Sequence, residues 1–94
     1  MLILVAYDVA TGNKAGTRRL RRVAQACEDY CQRVQNSVFE CRVNKQQWIT
    51  LKDRLLKETK LDEDSLRFYF MDGDTVVEHH GCKEPINLED PLIF

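Results

Sequence analysis

Residues 1–8 read MLILVAYD, a continuous apolar run of strand length that ends on an aspartate. An apolar run without alternation is typical of a central strand that is covered on both faces. Residues 10–16 follow, and their Gly12, Asn13 and Gly16 predict a loop. The chain therefore opens with a buried strand that places Asp8 at its end.

A helix is predicted next, because apolar residues recur at i, i+3, i+4, i+7 and i+11. They are Leu20, Val23, Ala24, Cys27 and Cys31. Residues 34–43 have strand character, but the alternation of their side chains between the two faces is interrupted. A bulge or tight bend near Asn36 and Ser37 would explain this change of face. Asn44 and Gln47 form a capping-box pair ahead of a second helix.

The last predicted strand covers residues 66–71, and residues 75–79 are expected to pair back after the turn at Asp72 and Gly73. The order β-α-β-β-α-β predicts an α+β, ferredoxin-like fold. A chain of 94 residues is one domain, 1–94, with 73–94 as a C-terminal extension. We hypothesise that the apolar end, residues 92–94, adds a strand to the sheet of a partner in a homodimer, since small domains often gain stability by association.

The net charge of −1 conceals a strong asymmetry. Residues 14–33 carry +4 (six bases, two acids) and residues 60–94 carry −6 (three bases, nine acids). A local basic face can attract a polyanion despite a neutral total. We find no signal peptide and no apolar run near the roughly 20 residues of a membrane helix, so we expect a cytoplasmic protein without a membrane partner. Its four cysteines are accordingly expected to be reduced, with no pairing between Cys27 and Cys31.

Asp8 supports two interpretations. It is either a loop-entry residue that caps a turn with Thr11 or Gly12, or a ligand for Mg²⁺. Magnesium keeps several waters and needs only one or two carboxylates plus phosphate. A two-fold dimer with Asp8 near its axis would bring both carboxylates to one ion. Such an ion can polarise a phosphoryl oxygen and lower the pKa of a bound water.

Four arginines of the first helix, at 18, 19, 21 and 22, cover more than one helix face. They form either a solvated surface or a site for the phosphate backbone, where the guanidinium fork matches phosphate oxygens. Residues 33–41 read RVQNSVFEC, and their Arg33 and Ser37 are candidates for phosphate contacts. Phe39 shares parity with Cys41, which favours a core position over stacking. A zinc site at 79–82 is disfavoured because no CxxC pair supports its histidines.

These residues resemble a known family, that of the small CRISPR-associated protein number two, over residues 1 to about 72. The resemblance depends on YDV at 7–9, on the arginine-rich first helix and above all on residues 27–41, and it is closest to the short bacterial members. It implies a ferredoxin-like fold and a two-fold homodimer. It also implies that Asp8 binds a shared Mg²⁺, for which Mn²⁺ can substitute.

The resemblance further implies a metal-dependent endonuclease of RNA or double-stranded DNA that acts in spacer acquisition, with the CRISPR integrase subunit as partner. The family's catalytic positions correspond to Asp8, Tyr7, Arg33, Ser37 and Phe39, and its nucleic-acid-binding positions to Arg18, Arg19, Arg22 and Arg33. One alternative is a non-catalytic dimeric scaffold that holds duplex DNA for the integrase subunit. Another is an unrelated ferredoxin-like interaction or ligand-sensing module, because one fold serves many functions.

Overall fold

A computed structural model describes residues 1–82, so the strand hypothesised at residues 92–94 lies outside the described part. The elements are β1 (Leu2–Asp8), α1 (Lys14–Tyr30), β2 (Gln32–Gln35), β3 (Val38–Arg42), α2 (Lys45–Glu58), β4 (Ser65–Phe70) and β5 (Val76–Gly81). The predicted α+β order is confirmed, and β5 pairs back on β4 as expected. No helix within residues 1–82 is long and apolar enough to cross a membrane.

The five strands form one antiparallel sheet in the order β2-β3-β1-β4-β5, so β1 is central. Ile3, Val5 and Tyr7 of β1 are buried in a single core with residues of both helices. Leu4 and Ala6, on the opposite face, are only partly buried. Both helices pack on the same side, so within residues 1–82 the expectation that β1 is covered on both faces is wrong.

We call the uncovered side of the sheet the open face. Its side chains alternate with the buried ones along each strand, since successive strand residues point to opposite faces. Across β1 the sheet register aligns Ala6 with Val38 and Arg67, and Leu4 with Glu40 and Tyr69. The open face includes Leu2, Leu4, Ala6, Asp8, Val38, Glu40, Arg42, Arg67, Tyr69, Val77 and His79.

The predicted bend in residues 34–43 is a tight turn between β2 and β3 at Asn36 and Ser37. The register shifts between Arg33 and Gln35, which accounts for the broken side-chain parity. Tyr7 holds this turn twice: its amide donates to the Ser37 carbonyl at 3.1 Å, and its hydroxyl donates to the Asn36 carbonyl at 3.3 Å. The capping box at Asn44 is also confirmed.

Cys31 and Cys41 form a disulfide, so the expectation of four reduced thiols is wrong for these two residues. The β2–β3 register sets Gln32 opposite Glu40, which makes residues 31 and 41 the next facing pair, with Cα atoms 4.3 Å apart. The structure is therefore the oxidised form of the protein. Cys27 and Cys82 are free thiols, and burial raises the pKa of Cys27 to about 12.

Reduction of this disulfide is expected to lower the free energy of unfolding by roughly 2–3 kcal/mol, because the bond closes a short loop in the unfolded chain. Urea denaturation with and without a thiol reductant measures the difference. Cys41→Ser should abolish the dependence on reductant, whereas Cys82→Ser, which removes an exposed free thiol, should retain it. Equal midpoints for the wild-type protein in both conditions would contradict the expectation.

Candidate metal and nucleic-acid site

Asp8 is the exposed last residue of β1 and lies on the open face. Its two neighbours, Tyr7 and Val9, are both buried, and its backbone faces Ser65 of β4 in the sheet register. The carboxylate therefore projects from a backbone that is fixed on either side. Carboxylate oxygens are the protein ligands that Mg²⁺ prefers, so the chemistry of this residue fits the predicted ion.

Among the described residues, one chain does not complete a metal site around Asp8. Within the described range, 1–82, no group of three or more His, Cys, Asp or Glu side chains could hold a metal ion. The two histidines of the disfavoured zinc site point to opposite faces of β5. His79 faces Arg67 in the register, and the His80 ring contacts Phe68 on the core side. His80 Nε2 lies 2.9 Å from Glu78 Oε2, which also pairs with Lys52.

Tyr7, Arg33 and Phe39 form one contact group on the helix-covered side of the sheet. The Tyr7 ring stacks on Phe39 with centroids 6.1 Å apart, and the Arg33 guanidinium carbon lies 5.1 Å from the Phe39 centroid. Arg33 also pairs with Glu28 at 3.0 Å. Burial raises the pKa of Tyr7, while the nearby Arg33 acts to lower it. Phe39 is fully buried, so it packs under the arginine, and only Arg33 reaches solvent.

The predicted catalytic residues thus divide between two places in one chain. Asp8 is on the open face, whereas Tyr7, Phe39 and Arg33 are on the other side. Ser37 lies in the β2–β3 turn, where its carbonyl is held by the Tyr7 amide. A single chain does not assemble these five residues around one point.

The helix arginines also divide. Arg19 points inward, with its side chain only 15% exposed, and pairs with Asp64 at 2.9 Å and with Glu63 at 3.1 Å. Arg22 is 64% exposed and makes a long contact of 3.8 Å with Glu58. Arg18 is exposed and lines an open groove at the start of α1. Of the three predicted nucleic-acid contacts on this helix, Arg18 and Arg22 therefore present the guanidinium to solvent, and Arg19 does not.

Sequence reasoning missed Asp64, one of three consecutive acids before β4. Its side chain is fully buried, and it accepts hydrogen bonds from Arg19, from the Ala10 amide at 3.1 Å and from the Lys60 amide at 2.9 Å. Burial acts to raise the pKa of this carboxyl, but the Arg19 bond and the two amide bonds outweigh it and hold the pKa below its ordinary value. Three consecutive acids, 62–64, gave no sign of which one points inward.

The depressed pKa of Asp64 predicts an acid-dependent contribution to stability. The ionised carboxylate stabilises the folded state at pH values above the pKa in the unfolded chain, about 3.9, and this contribution is lost as the pH falls through the lower folded-state pKa. The difference in unfolding free energy between wild type and Asp64→Asn should therefore be largest above about pH 4 and shrink below it. Urea denaturation across this range measures it.

The matched control for this experiment is Asp62→Asn, which removes an exposed carboxylate from the same loop. The difference in unfolding free energy between wild type and Asp62→Asn should not shrink comparably below about pH 4. A difference between wild type and Asp64→Asn that stays constant with pH would contradict the assignment of an ionised, paired carboxylate.

Comparison with known proteins gives a consistent result. The sequence profile of the family described as "CRISPR associated protein Cas2" matches residues 1–78. A Chlorobaculum tepidum protein named CRISPR-associated endoribonuclease Cas2 is 55% identical, and a Halalkalibacterium halodurans protein named CRISPR-associated endonuclease Cas2 is 53% identical, each with full coverage of both chains.

Solved structures agree with the sequence matches. The crystal structure of Streptococcus pyogenes Cas2 superposes with a TM-score of 0.70 at 51% identity, covering 76% of this chain and 86% of that one. A hypothetical protein from Thermus thermophilus gives a TM-score of 0.65 at 31% identity, with coverage of 88% and 96%. Sequence and fold therefore point to the same family.

Proposed function

The chain belongs to the Cas2 family of CRISPR-associated proteins, and we propose that it is a metal-dependent endonuclease acting in spacer acquisition for antiviral defence. It would hydrolyse phosphodiester bonds in RNA or double-stranded DNA. One observation carries the proposal: Asp8 presents an exposed carboxylate at the end of the central strand, between two buried residues. The names of the two relatives, endoribonuclease and endonuclease, support the nuclease class.

The proposed active form is a homodimer. The apolar sequence of β1 suits a strand covered on both faces, but the helices cover only one. A second copy packed on the open face would bury the partly exposed Leu4 and Ala6. In a two-fold interface the same surface patch meets itself, so Asp8 of each chain could approach the axis. This arrangement would place a second carboxylate beside the first.

Mg²⁺ is the proposed cofactor, with Mn²⁺ able to substitute. Two aspartates, waters and a substrate phosphate make a sufficient ligand set for Mg²⁺. When bound, the ion would polarise a phosphoryl oxygen and lower the pKa of a coordinated water. The role of Asp8 is to hold that ion at the open face, while the buried residues around it keep the carboxylate in place.

The remaining residues would bind and orient the nucleic acid. Arg33 and the outward-facing Arg18 and Arg22 offer guanidinium groups to phosphate oxygens. Ser37 sits in the turn that Tyr7 anchors, and Phe39 supports Arg33 from below. Tyr7 and Phe39 are thus proposed to position the binding residues instead of contacting substrate. The integrase subunit is the proposed protein partner, and the acidic segment from residue 60 onward is suited to a basic surface.

The direct test is cleavage of duplex DNA and single-stranded RNA by the purified protein with Mg²⁺ or Mn²⁺. Asp8→Asn removes the proposed ligand charge while keeping the size of the side chain. We expect its cleavage to fall to the level of wild type in a metal chelator, because the ion loses its protein ligand. Asp62→Asn, an exposed acid on a loop, is the matched control and should cleave like wild type.

Metal-dependent cleavage retained in Asp8→Asn would contradict the proposal. If neither protein cleaves but both bind duplex DNA, the scaffold alternative replaces the enzyme. The exposed Arg18, Arg22 and Arg33 favour this second candidate equally, since phosphate contacts position a duplex without requiring chemistry.

A further inference from the structure

We infer that Arg19 and Asp64 are positioning residues for Asp8: their buried ion pair fixes the chain segment that carries the metal-binding carboxylate. This inference rests on the proposed function, because it assigns a role at that same site. It also gives Arg19 a part different from the phosphate contact expected of a helix arginine. Three sets of contacts around Asp64 and the segment after β1 support this role.

The first contacts join Asp64 to the segment after Asp8. Asp8 and Ser65 face each other in the β1–β4 register, so Asp64 directly precedes the residue opposite Asp8. The Ala10 amide, two residues beyond Asp8, donates to Asp64 Oδ1 at 3.1 Å. The chain is therefore held to β4 at Asp8 through the sheet and again at Ala10 through the carboxylate. Val9 between them is buried.

The second contacts fix the Asp64 carboxylate itself. Arg19 donates from Nε to Oδ2 at 2.9 Å and from a terminal nitrogen to Oδ1 at 3.3 Å, which is a two-point grip. The Lys60 amide donates to Oδ2 at 2.9 Å, so both carboxylate oxygens are engaged. Because Arg19 belongs to α1, the pair connects the helix to the loop that precedes β4. The two bonds from Arg19 fix the orientation of the carboxylate. The position of Ala10 is fixed in turn, because its amide donates to Oδ1.

The third contacts are close backbone approaches that only glycine permits. A Cβ at Gly16 on α1 would overlap the Ala10 carbonyl, so the helix backbone lies directly against the pinned loop. A Cβ at Gly81 would overlap the Asp64 carbonyl, and Gly81 has a φ of +122°, a conformation that favours glycine. The Cys82 amide donates to that same carbonyl at 3.3 Å. Asp64 is therefore enclosed by α1, β5 and the segment after β1.

A buried ion pair is a poor source of stability, because desolvation offsets its attraction. Its value lies in orientation, and groups that orient a metal ligand typically change metal affinity when they are replaced. The exposed Asp8 is attached to a backbone that the pair holds at Ala10. Weakening the pair should therefore reduce metal affinity by letting the carboxylate adopt other positions.

The test compares Arg19→Gln and Arg19→Lys with wild type by two measurements. Hydrogen exchange of the Ala10 amide in metal-free protein measures how firmly Ala10 is held to Asp64. Titration with Mn²⁺, followed by electron paramagnetic resonance, measures metal affinity at Asp8. We expect Arg19→Gln to exchange Ala10 at least about tenfold faster than wild type. Its dissociation constant for Mn²⁺ should rise roughly ten- to a hundredfold, with a smaller rise in Arg19→Lys, which keeps the charge but not the fork.

Two controls separate positioning from a loss of stability. Arg54→Gln breaks the Arg54–Asp29 pair of 2.7 Å between the two helices, a more exposed arginine–carboxylate pair that does not include Asp64 or Ala10. Val23→Ala removes a buried side chain of α1 and lowers stability without changing the bonds of Asp64. Both should retain wild-type Mn²⁺ affinity at temperatures where they are folded.

Each outcome decides the inference. Unchanged Mn²⁺ affinity in folded Arg19→Gln, or an equal loss in Val23→Ala, would overturn the positioning role while leaving the proposed function intact. An Asp8→Asn variant measured in parallel separates the two, since wild-type Mn²⁺ binding in that variant would overturn the proposed site itself. If Arg19→Gln does not fold, Arg19→Lys carries the comparison, and wild-type affinity and wild-type Ala10 exchange in it would overturn the inference.

Discussion

The buried carboxylate of Asp64 is the interaction on which the geometry around Asp8 depends. A charge removed from water is tolerated only when donors surround it, and Asp64 obtains them from Arg19 and from the amides of Ala10 and Lys60. These donors belong to α1, to the segment after β1 and to the segment before β4. Satisfying one carboxylate therefore fixes three parts of the chain relative to each other. The exposed Asp8 lies at the end of β1, next to the segment that this arrangement holds in place.

The second constraint is that both helices cover the same side of the sheet. The covered side holds the core and, at its margin, Arg33 stacked over Phe39. The open side holds Asp8 and a partly exposed apolar centre. The proposed metal ligand and the arginine proposed to bind phosphate thus lie on different sides of one chain. The proposed dimer keeps this division: a second copy on the open side adds a carboxylate beside Asp8, and the arginines stay exposed on the outer sides.

Sequence reasoning succeeded where the signal was local. The apolar strand, the helix stripe, the bend before β3 and the capping box at Asn44 each depend on neighbours within a few residues. It failed where the partner is distant along the chain. The Cys31–Cys41 bond follows from a strand register that a broken parity concealed. Four arginines cover more than one helix face, so the sequence did not show that Arg19 turns inward. It also did not show that Arg19 pairs in the core with Asp64 and not with one of the two acids before it.

The most direct measurement is the number of Mn²⁺ ions bound per chain, combined with the molar mass in solution. Two chains that share one ion through both copies of Asp8 should give a dimeric mass and one bound Mn²⁺ for every two chains. One ion bound by each chain, or a monomeric mass in the presence of bound Mn²⁺, would contradict a metal site shared by two copies of Asp8.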